Sequence, residues 1–336
     1  MRAPAFWIDN AGRSSSRLTR ALISPLGWLY AAAGAARIAR TTPEHVDIPV
    51  ICVGNLTLGG TGKTPVSITL LERLTALGHT PFALSRGWRG RLKGPVAVDT
   101  NAHTAGDVGD EPLLLARTAP AIVSVDRPAG ARFAAQSGAD IIVMDDGHQN
   151  PTLHKDFAFV VVDNEAGWGP GTIFPAGPLR EPVSSGLARA DAVIVMTAGP
   201  DDAPRYEKLG LADLEIPVFH AWLAPAAPPP EGRLLAFAGI GRPQKFFDGL
   251  KAAGGDLADA ISFPDHHTFS SGNLNQLADL AENWQARLIT TEKDHVRLPP
   301  EWRARVLTFP VQAVFADAAR IDDCLGAVFE RAGTRA

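Results

Sequence analysis

Apolar positions in this chain keep two alternating periods, and their order along the sequence predicts an α/β protein. The run IPVICVGN at residues 48–55 is almost continuously apolar and β-branched, bounded by Pro49 and Gly54, as a buried strand should be. After a glycine-rich turn, Pro65 suits the opening of a helix, and VSITLLERLTALG keeps helical spacing as far as Gly78. The runs PFALS, AIVSVD, ADIIVMDD, FAFVVVD and ADAVIVMT follow at intervals typical of alternating α/β structure, with helical material such as RPAGARFAAQSG between some of them. Strands this uniformly apolar belong in a parallel sheet covered on both faces. The pattern changes near Asp201, where a possible extended pair leads into the proline-rich APAAPPPEG. RLLAFAGI then starts a second, smaller series, continued by a helix around QKFFDGLKAAG, the strands RLITT and RVLTFPVQAVF, and a helix from about Asp317 to the end. The expected division is an N-terminal helical segment (1–40), a sheet domain (41–215), a linker (216–232) and a smaller α/β domain (233–336).

The N-terminal segment carries its own signal. Residues 21–38 read ALISPLGWLYAAAGAARI, with Arg13, Arg17 and Arg20 before them and Arg40 after. A membrane span needs about 20 predominantly apolar residues, and this run contains Pro25, two glycines and Arg37. A secretory leader would export the nucleotide loop described below to a place without ATP, which argues against that reading. Two readings stand open from these residues: a helix in the membrane interface, with Trp28 and Tyr30 near headgroup depth, or an amphipathic helix packed on its own domain.

Composition narrows the rest. At 336 residues two domains are expected, and a net charge of −4 argues against a nucleic-acid binder held by bulk positive charge. Cys52 and Cys324 are the only cysteines, so there is no zinc motif or disulfide framework, and a reducing compartment fits.

Chemistry enters at LGGTGKTP, residues 58–65. Phosphate loops need backbone N–H groups that approach closely and a lysine that reaches the β- and γ-phosphates. Gly62, Lys63 and Thr64 fit; Thr57 holds the usual leading-glycine position, and Gly59, Gly60 and Thr61 supply the remainder of the turn before Pro65. Lys63 is expected on the phosphates and the Thr64 hydroxyl on Mg²⁺. IIVMDDG runs four apolar residues into Asp145 and Asp146, which would place carboxylates at the carboxyl edge of the sheet as further metal partners. No guanine-specifying N/T-K-x-D or D-x-x-G switch is present, so a kinase fits better than a GTPase. A kinase also needs a group to receive the acceptor's proton. VGDEP (108–112) and FPDHHTF (263–269) supply carboxylates and histidines in turns. A nucleotide-driven switch protein and a soluble small-alcohol kinase are the competing readings.

GNLTLGGTGKTP, SRGW, VGDEP, MDDGHQ, FPAGPLREP, FPDHHTF and TTEKDHVRL occur in this order, and together they resemble the tetraacyldisaccharide 4'-kinases over nearly the whole chain. The resemblance implies a P-loop NTPase-like parallel-sheet domain, a smaller α/β domain closing over the site, and a membrane-interface helix at the N-terminus. It implies transfer of the ATP γ-phosphoryl group to the 4'-hydroxyl of an acylated disaccharide 1-phosphate, yielding lipid IVA with Mg²⁺ as the metal. It also implies an enzyme on the cytoplasmic face of the inner membrane, needing neither nucleic acid nor an obligate protein partner. Carried over residue by residue, Lys63 and Thr64 match the phosphate-loop pair, Asp145 and Asp146 the acidic pair, and Asp110 and His266 a catalytic dyad. Glu111, Gln149, Arg180 and Glu181 fall in matching motifs and are expected to line the cleft. His148, Asn150 and Trp88 depart from the residues more usual in the family.

Overall fold

The run at 48–55 forms the central strand of the larger of two sheets. In the computed structural model, which describes residues 4–7 and 14–333, β1 (Val50–Gly54) is followed by α2 (Lys63–Ala76), after the N-terminal α1 (Ser14–Arg40). Along the chain come β2 (Pro81–Ser85), β3 (Val96–Ala97), α3 (Ala105–Val108), α4 (Asp110–Leu115), β4 (Ala121–Val123), α5 (Arg127–Gln136), β5 (Ile141–Asp145), β6 (Phe157–Asp163), β7 (Ala192–Thr197) and β8 (Val218–Pro225). Next are β9 (Arg233–Ala238), β10 (Asp256–Ser262), β11 (Arg287–Thr290), β12 (Leu307–Thr308) and β13 (Val311–Phe315). The nine-stranded sheet has the order β13-β8-β7-β6-β1-β5-β2-β4-β3, parallel except at its two edge strands. Val53 lies opposite Asp145 on one side and Phe159 on the other.

Both faces of β1 are covered, which is why its sequence does not alternate. Ile51 and Val53 pack with Val66, Leu70 and Leu74 of α2, while Val50 and Cys52 pack with Ala131 and Ala134 of α5. The chain leaves β1 toward β2 on one side and crosses to β6 on the other, so the turn after β1 sits where the connections diverge and a ligand cleft opens.

The smaller sheet is four-stranded and parallel, β10-β9-β11-β12. Phe246, Phe247 and Leu250 of the helix Pro243–Ala252 cover one face. Leu274, Leu277 and Ala281 of the helix Ser271–Asn283 cover the other.

The boundaries drawn from sequence differ from this arrangement in two places. β8 falls wholly inside the stretch read as a linker, yet it pairs with β7 and buries Phe219 and Ala221 in the large core. RVLTFPVQAVF, read as one strand, is two: β12 joins the small sheet, and beyond Pro310 the chain crosses back as β13, antiparallel to β8. A proline cannot donate to a ladder, so the break falls there. The last helix, Ala318–Gly333, follows β13 home. Its Ile321, Leu325 and Val328 complete the large core, and Arg73 of α2 donates to Asp322 at 2.7 Å.

α1 is 27 residues long, ~40 Å at ~1.5 Å per residue. It touches its domain along a narrow line. A side chain at Gly27 would come within 2.8 Å of the Ile173 carbonyl oxygen, the Tyr30 ring lies 5.6 Å from Phe174, and Arg37 donates to the Gln149 carbonyl at 2.9 Å. Leu18, Leu22, Leu26, Trp28 and Leu29 are exposed. Among the described residues no helix is long and apolar enough to cross a membrane; Arg13 lies outside those residues.

Leu325 is completely buried in the large core. Leu325→Ala should therefore destabilise the sheet domain by about 2–5 kcal/mol in chemical denaturation. An unchanged midpoint would show that the last helix contributes nothing to that core.

Candidate active site

Gly59 and Gly62 take left-handed backbone angles, φ 124° and 91°, that bend the loop after β1 into a cradle. Buried Asn55 fixes its far side by donating to the Thr57 carbonyl at 2.7 Å and to the Thr61 hydroxyl at 3.2 Å. α2 begins at Lys63, so the loop's amides and the positive end of a 14-residue helix face the same space. Pro65 stands in the first turn of α2, where no intrahelical donor is lost.

The acidic pair lies beside this cradle at the end of β5. Asp145 is buried, accepting from the Ser67 hydroxyl at 2.9 Å and from Thr64 Oγ1 at 3.4 Å. Burial, with Glu111 and Asp146 nearby and Lys63 opposing, pushes its carboxyl up to about 7. Asp146 has φ 52°, an uncommon angle for a residue with a side chain. Its carboxylate is 3.6 Å from Lys63 Nζ and takes a two-pronged contact from Arg180 at 2.9 and 3.2 Å. Burial works against its ionised form, but Lys63 and Arg180 outweigh that and hold it well below the usual carboxylate range. A threonine hydroxyl and two carboxylates beside a phosphate loop form an all-oxygen donor set of the kind Mg²⁺ takes alongside phosphate oxygens.

Gln149, Arg180 and Glu181 form a brace behind the pair. Arg180 also donates to Gln149 Oε1 at 3.3 Å; Gln149 donates to the Asn55 carbonyl at 2.8 Å and to Glu181 at 3.0 Å; Arg189 closes the chain on Glu181 at 2.6 Å. His148 stands next to the brace but is placed by other contacts. Its ring is buried against β1, where a side chain at Gly54 would meet His148 Cβ at 2.4 Å, and its Nε2 pairs with the Gly186 carbonyl at 2.9 Å. Burial lowers its pKa to about 4, so the ring stays neutral.

Asp110 and His266 come from different units and meet. Asp110 opens α4 and is 6% exposed; His266, at φ 55° in the turn 264–267, places Nδ1 3.2 Å from Asp110 Oδ2. The same oxygen accepts from Arg297 Nε at 2.8 Å and lies 2.7 Å from its Nη2. Lys293 stands 4.0 Å from Asp110 and donates to Glu111 at 2.9 Å. Burial opposes ionisation of Asp110, and His266, Lys293 and Arg297 together outweigh it, holding the carboxyl well below its ordinary range. On the other flank of the phosphate loop, Asp163 at the end of β6 accepts from Arg242 and Lys245 of the small unit, both at 2.8 Å. A side chain at Gly241 would lie 4.0 Å from the Gly60 nitrogen.

All the residues expected from sequence therefore collect around one cleft. Gln149 and Glu181 act as supports rather than as open lining. Sequence reasoning singled out neither Arg297 nor Lys293 as a site residue, although TTEKDHVRL, residues 290–298, contains both. Ser67 and the Asp163 clamp had no motif to mark them.

A family model described as Tetraacyldisaccharide-1-P 4'-kinase matches residues 19–330. The tetraacyldisaccharide 4'-kinase of Maricaulis maris is 57% identical over 331 residues, covering 98% of this chain and 97% of its own. That of Hyphomonas neptunium is 49% identical over 336 residues and 99% of each chain. The crystal structure of LpxK from Aquifex aeolicus in complex with ATP shares the fold, with a TM-score of 0.72 at 24% identity over 92% of this chain and 99% of that one. A match of this extent, in sequence and in fold, means that the chain belongs to the tetraacyldisaccharide-1-P 4'-kinase family.

Proposed function

We infer that this protein is the lipid A 4'-kinase: it transfers the γ-phosphoryl group of ATP to the 4'-hydroxyl of a tetraacyldisaccharide 1-phosphate. Beyond family membership, the observation that carries this reading is the meeting of Asp110 and His266 beside a phosphate loop, where a side chain at Gly241 would lie 3.8 Å from Asp265 and 4.0 Å from the Gly60 nitrogen. A switch that only binds and hydrolyses nucleotide has no use for such a pair drawn from a second unit.

The loop amides and Lys63 hold the β- and γ-phosphates. Thr64, Asp145 and Asp146 would hold Mg²⁺, which supplies charge neutralisation on the phosphate oxygens when bound. Arg180 and Ser67 keep the two carboxylates in place. The sugar oxygen bonds to the γ-phosphorus as the bond from that phosphorus to the β–γ bridging oxygen breaks, and ADP leaves with the bond's electron pair. Asp110 accepts the hydroxyl proton. His266 and Arg297 hold it on the small unit's side of the cleft. Positioning and fixed charge carry most of the acceleration.

The acceptor's acyl chains resist leaving a bilayer, at ~0.8 kcal/mol per buried CH₂. The exposed face of α1 gives the enzyme a means of going to them. Between Arg20 and Arg37 the helix has no charged residue, and arginines flank this stretch at both ends. This pattern suits an interface helix with its cations among anionic headgroups, on the side of the membrane where ATP is found.

Lys63→Ala should lower transfer of label from γ-labelled ATP to the lipid about 10²–10³-fold; label appearing only as inorganic phosphate with wild-type protein would favour a nucleotide switch instead. Asp110→Asn should lower kcat ~10²–10⁴-fold while MgATP still binds, and near wild-type turnover would remove Asp110 from the mechanism. The double substitution Leu22→Glu with Leu29→Glu, on exposed positions, should weaken co-sedimentation with anionic vesicles roughly tenfold or more, given ~0.8 kcal/mol per withdrawn apolar carbon. Unchanged sedimentation would show that α1 is not the membrane contact.

A further inference from the structure

Among the groups around Asp110, Arg297 has the most constrained geometry. Its side chain is 8% exposed and spans the two units. On the small unit, Nη1 donates to the Gly239 carbonyl at 3.0 Å and to Asp294 Oδ1 at 2.9 Å. Asp294 is itself completely buried and held by the Thr291 hydroxyl at 2.8 Å and the Gly239 amide at 3.0 Å. On the large unit, Nε and Nη2 both meet Asp110 Oδ2. The Gly239 carbonyl also accepts the His266 amide at 2.9 Å. One backbone oxygen therefore sets both partners of Asp110.

The two carboxylate oxygens of Asp110 consequently have different surroundings. Oδ2 is occupied by Arg297 and His266, while the contact at Oδ1 is the Glu111 amide at 3.0 Å. An ionised carboxylate oxygen has about two acceptor sites, so Oδ1 retains one.

We propose that Arg297 is a positioning residue for phosphoryl transfer: it pins Asp110 by Oδ2 to the small unit, so that Oδ1 is presented to the attacking hydroxyl only when the two units are together. The proposal rests on reading Asp110 as the proton acceptor. A lysine at 297 could not replace the guanidinium, because one ammonium cannot span from Asp110 on one side to Asp294 and the Gly239 carbonyl on the other as Nε and Nη1 do.

Arg297 also sets how strongly Asp110 binds a proton. The charged and titratable groups facing Asp110 are Glu111 on its own helix, Lys293, Asp294 and Arg297 on the segment 292–297, and His266 with Asp265 on the turn 264–267. Arg89 reaches the His266 carbonyl at 3.4 Å, and Lys63 on the neighbouring α2 is engaged with Asp146. Removing the Arg297 charge leaves only His266 and Lys293 of the three groups that favour the ionised carboxylate, so protonation of Asp110 moves to higher pH.

The test is kcat against pH for wild type, Arg297→Gln and Arg297→Lys, with saturating MgATP and tetraacyldisaccharide 1-phosphate in mixed micelles. Nucleotide affinity and thermal melting are measured alongside. Arg297→Gln should lose ~10²-fold in kcat with KM for MgATP little changed, and its acid limb should lie at higher pH than that of wild type. Arg297→Lys should lose kcat but keep the wild-type limb. Coincident limbs for Arg297→Gln and wild type, or retained kcat, would overturn the proposal while an inactive Asp110→Asn left the role of Asp110 standing. An active Asp110→Asn would overturn both. If Arg297→Gln does not fold, Asp294→Asn gives the second route: it loosens Arg297 without removing it and should also lower kcat, whereas wild-type kcat in that variant would overturn the positioning role.

Discussion

Two like charges side by side at the end of a buried strand set the conditions that the rest of this site must meet. Asp145 and Asp146 follow four apolar residues of β5, and burying one ionised carboxylate without compensation is far costlier than any single contact here returns. The structure resolves the conflict by giving the two different partners. Asp145 meets only hydroxyls and is pushed up to about 7, whereas Asp146 turns into a left-handed conformation and meets Lys63 and Arg180. Placing the Arg180 guanidinium there requires the chain through Gln149, Glu181 and Arg189. Much of the polarity in MDDGHQ and LREP is thus explained by the demands of that one pair, in which phosphate and metal charge would take part during turnover.

A second set of charges joins the units. The small sheet reaches the large one through Asp163 with Arg242 and Lys245 on one flank of the phosphate loop, and through Asp110 and Glu111 with Lys293 and Arg297 on the other. The Asp110 flank adds a small apolar contact, Val296 against Val108, Leu113 and Leu114, while the main cores of the two units gather separate residues. Ionic staples of this kind stabilise an interface only while both partners are present, and lose most of their value once water reaches them. Such a joint suits a cleft that must open for a bulky acceptor and close for chemistry.

How much of this was legible in the sequence depends on the range of the interaction. β1, the loop and α2 are contiguous, so apolar period, glycine spacing and Lys63 were enough to place them. Asp145 was readable because a strand running into acid residues has one place to put them. β13 was not: VQAVF looks like a continuation of VLTF, and only the choice between two sheets, made at Pro310, separates them. Gln149 and Glu181, expected as cleft lining, hydrogen-bond as a brace behind the acidic pair, and a brace and a lining look alike until the hydrogen bonds are seen. Arg297 lies 187 positions from Asp110, and an arginine after a short helix has no local pattern that points to a carboxylate in another unit.

The N-terminal helix closes the physical account, because its contacts lead back to the same loop. Gly27 packs on Ile173; Ile173 and Thr57 each bridge to Leu179; the Leu58 amide donates to the Pro178 carbonyl at 2.7 Å, and Arg180 follows directly to Asp146. The segment that carries α1 is thus the segment that shapes one wall of the phosphate cradle. Glycine at 27 is what allows that approach, since any side chain there would push the helix off the Ile173 carbonyl. The helix proposed above to meet the membrane is thus joined to the phosphate cradle through one short segment, residues 173–180, so a displacement of α1 and a change in that wall of the cradle are mechanically linked.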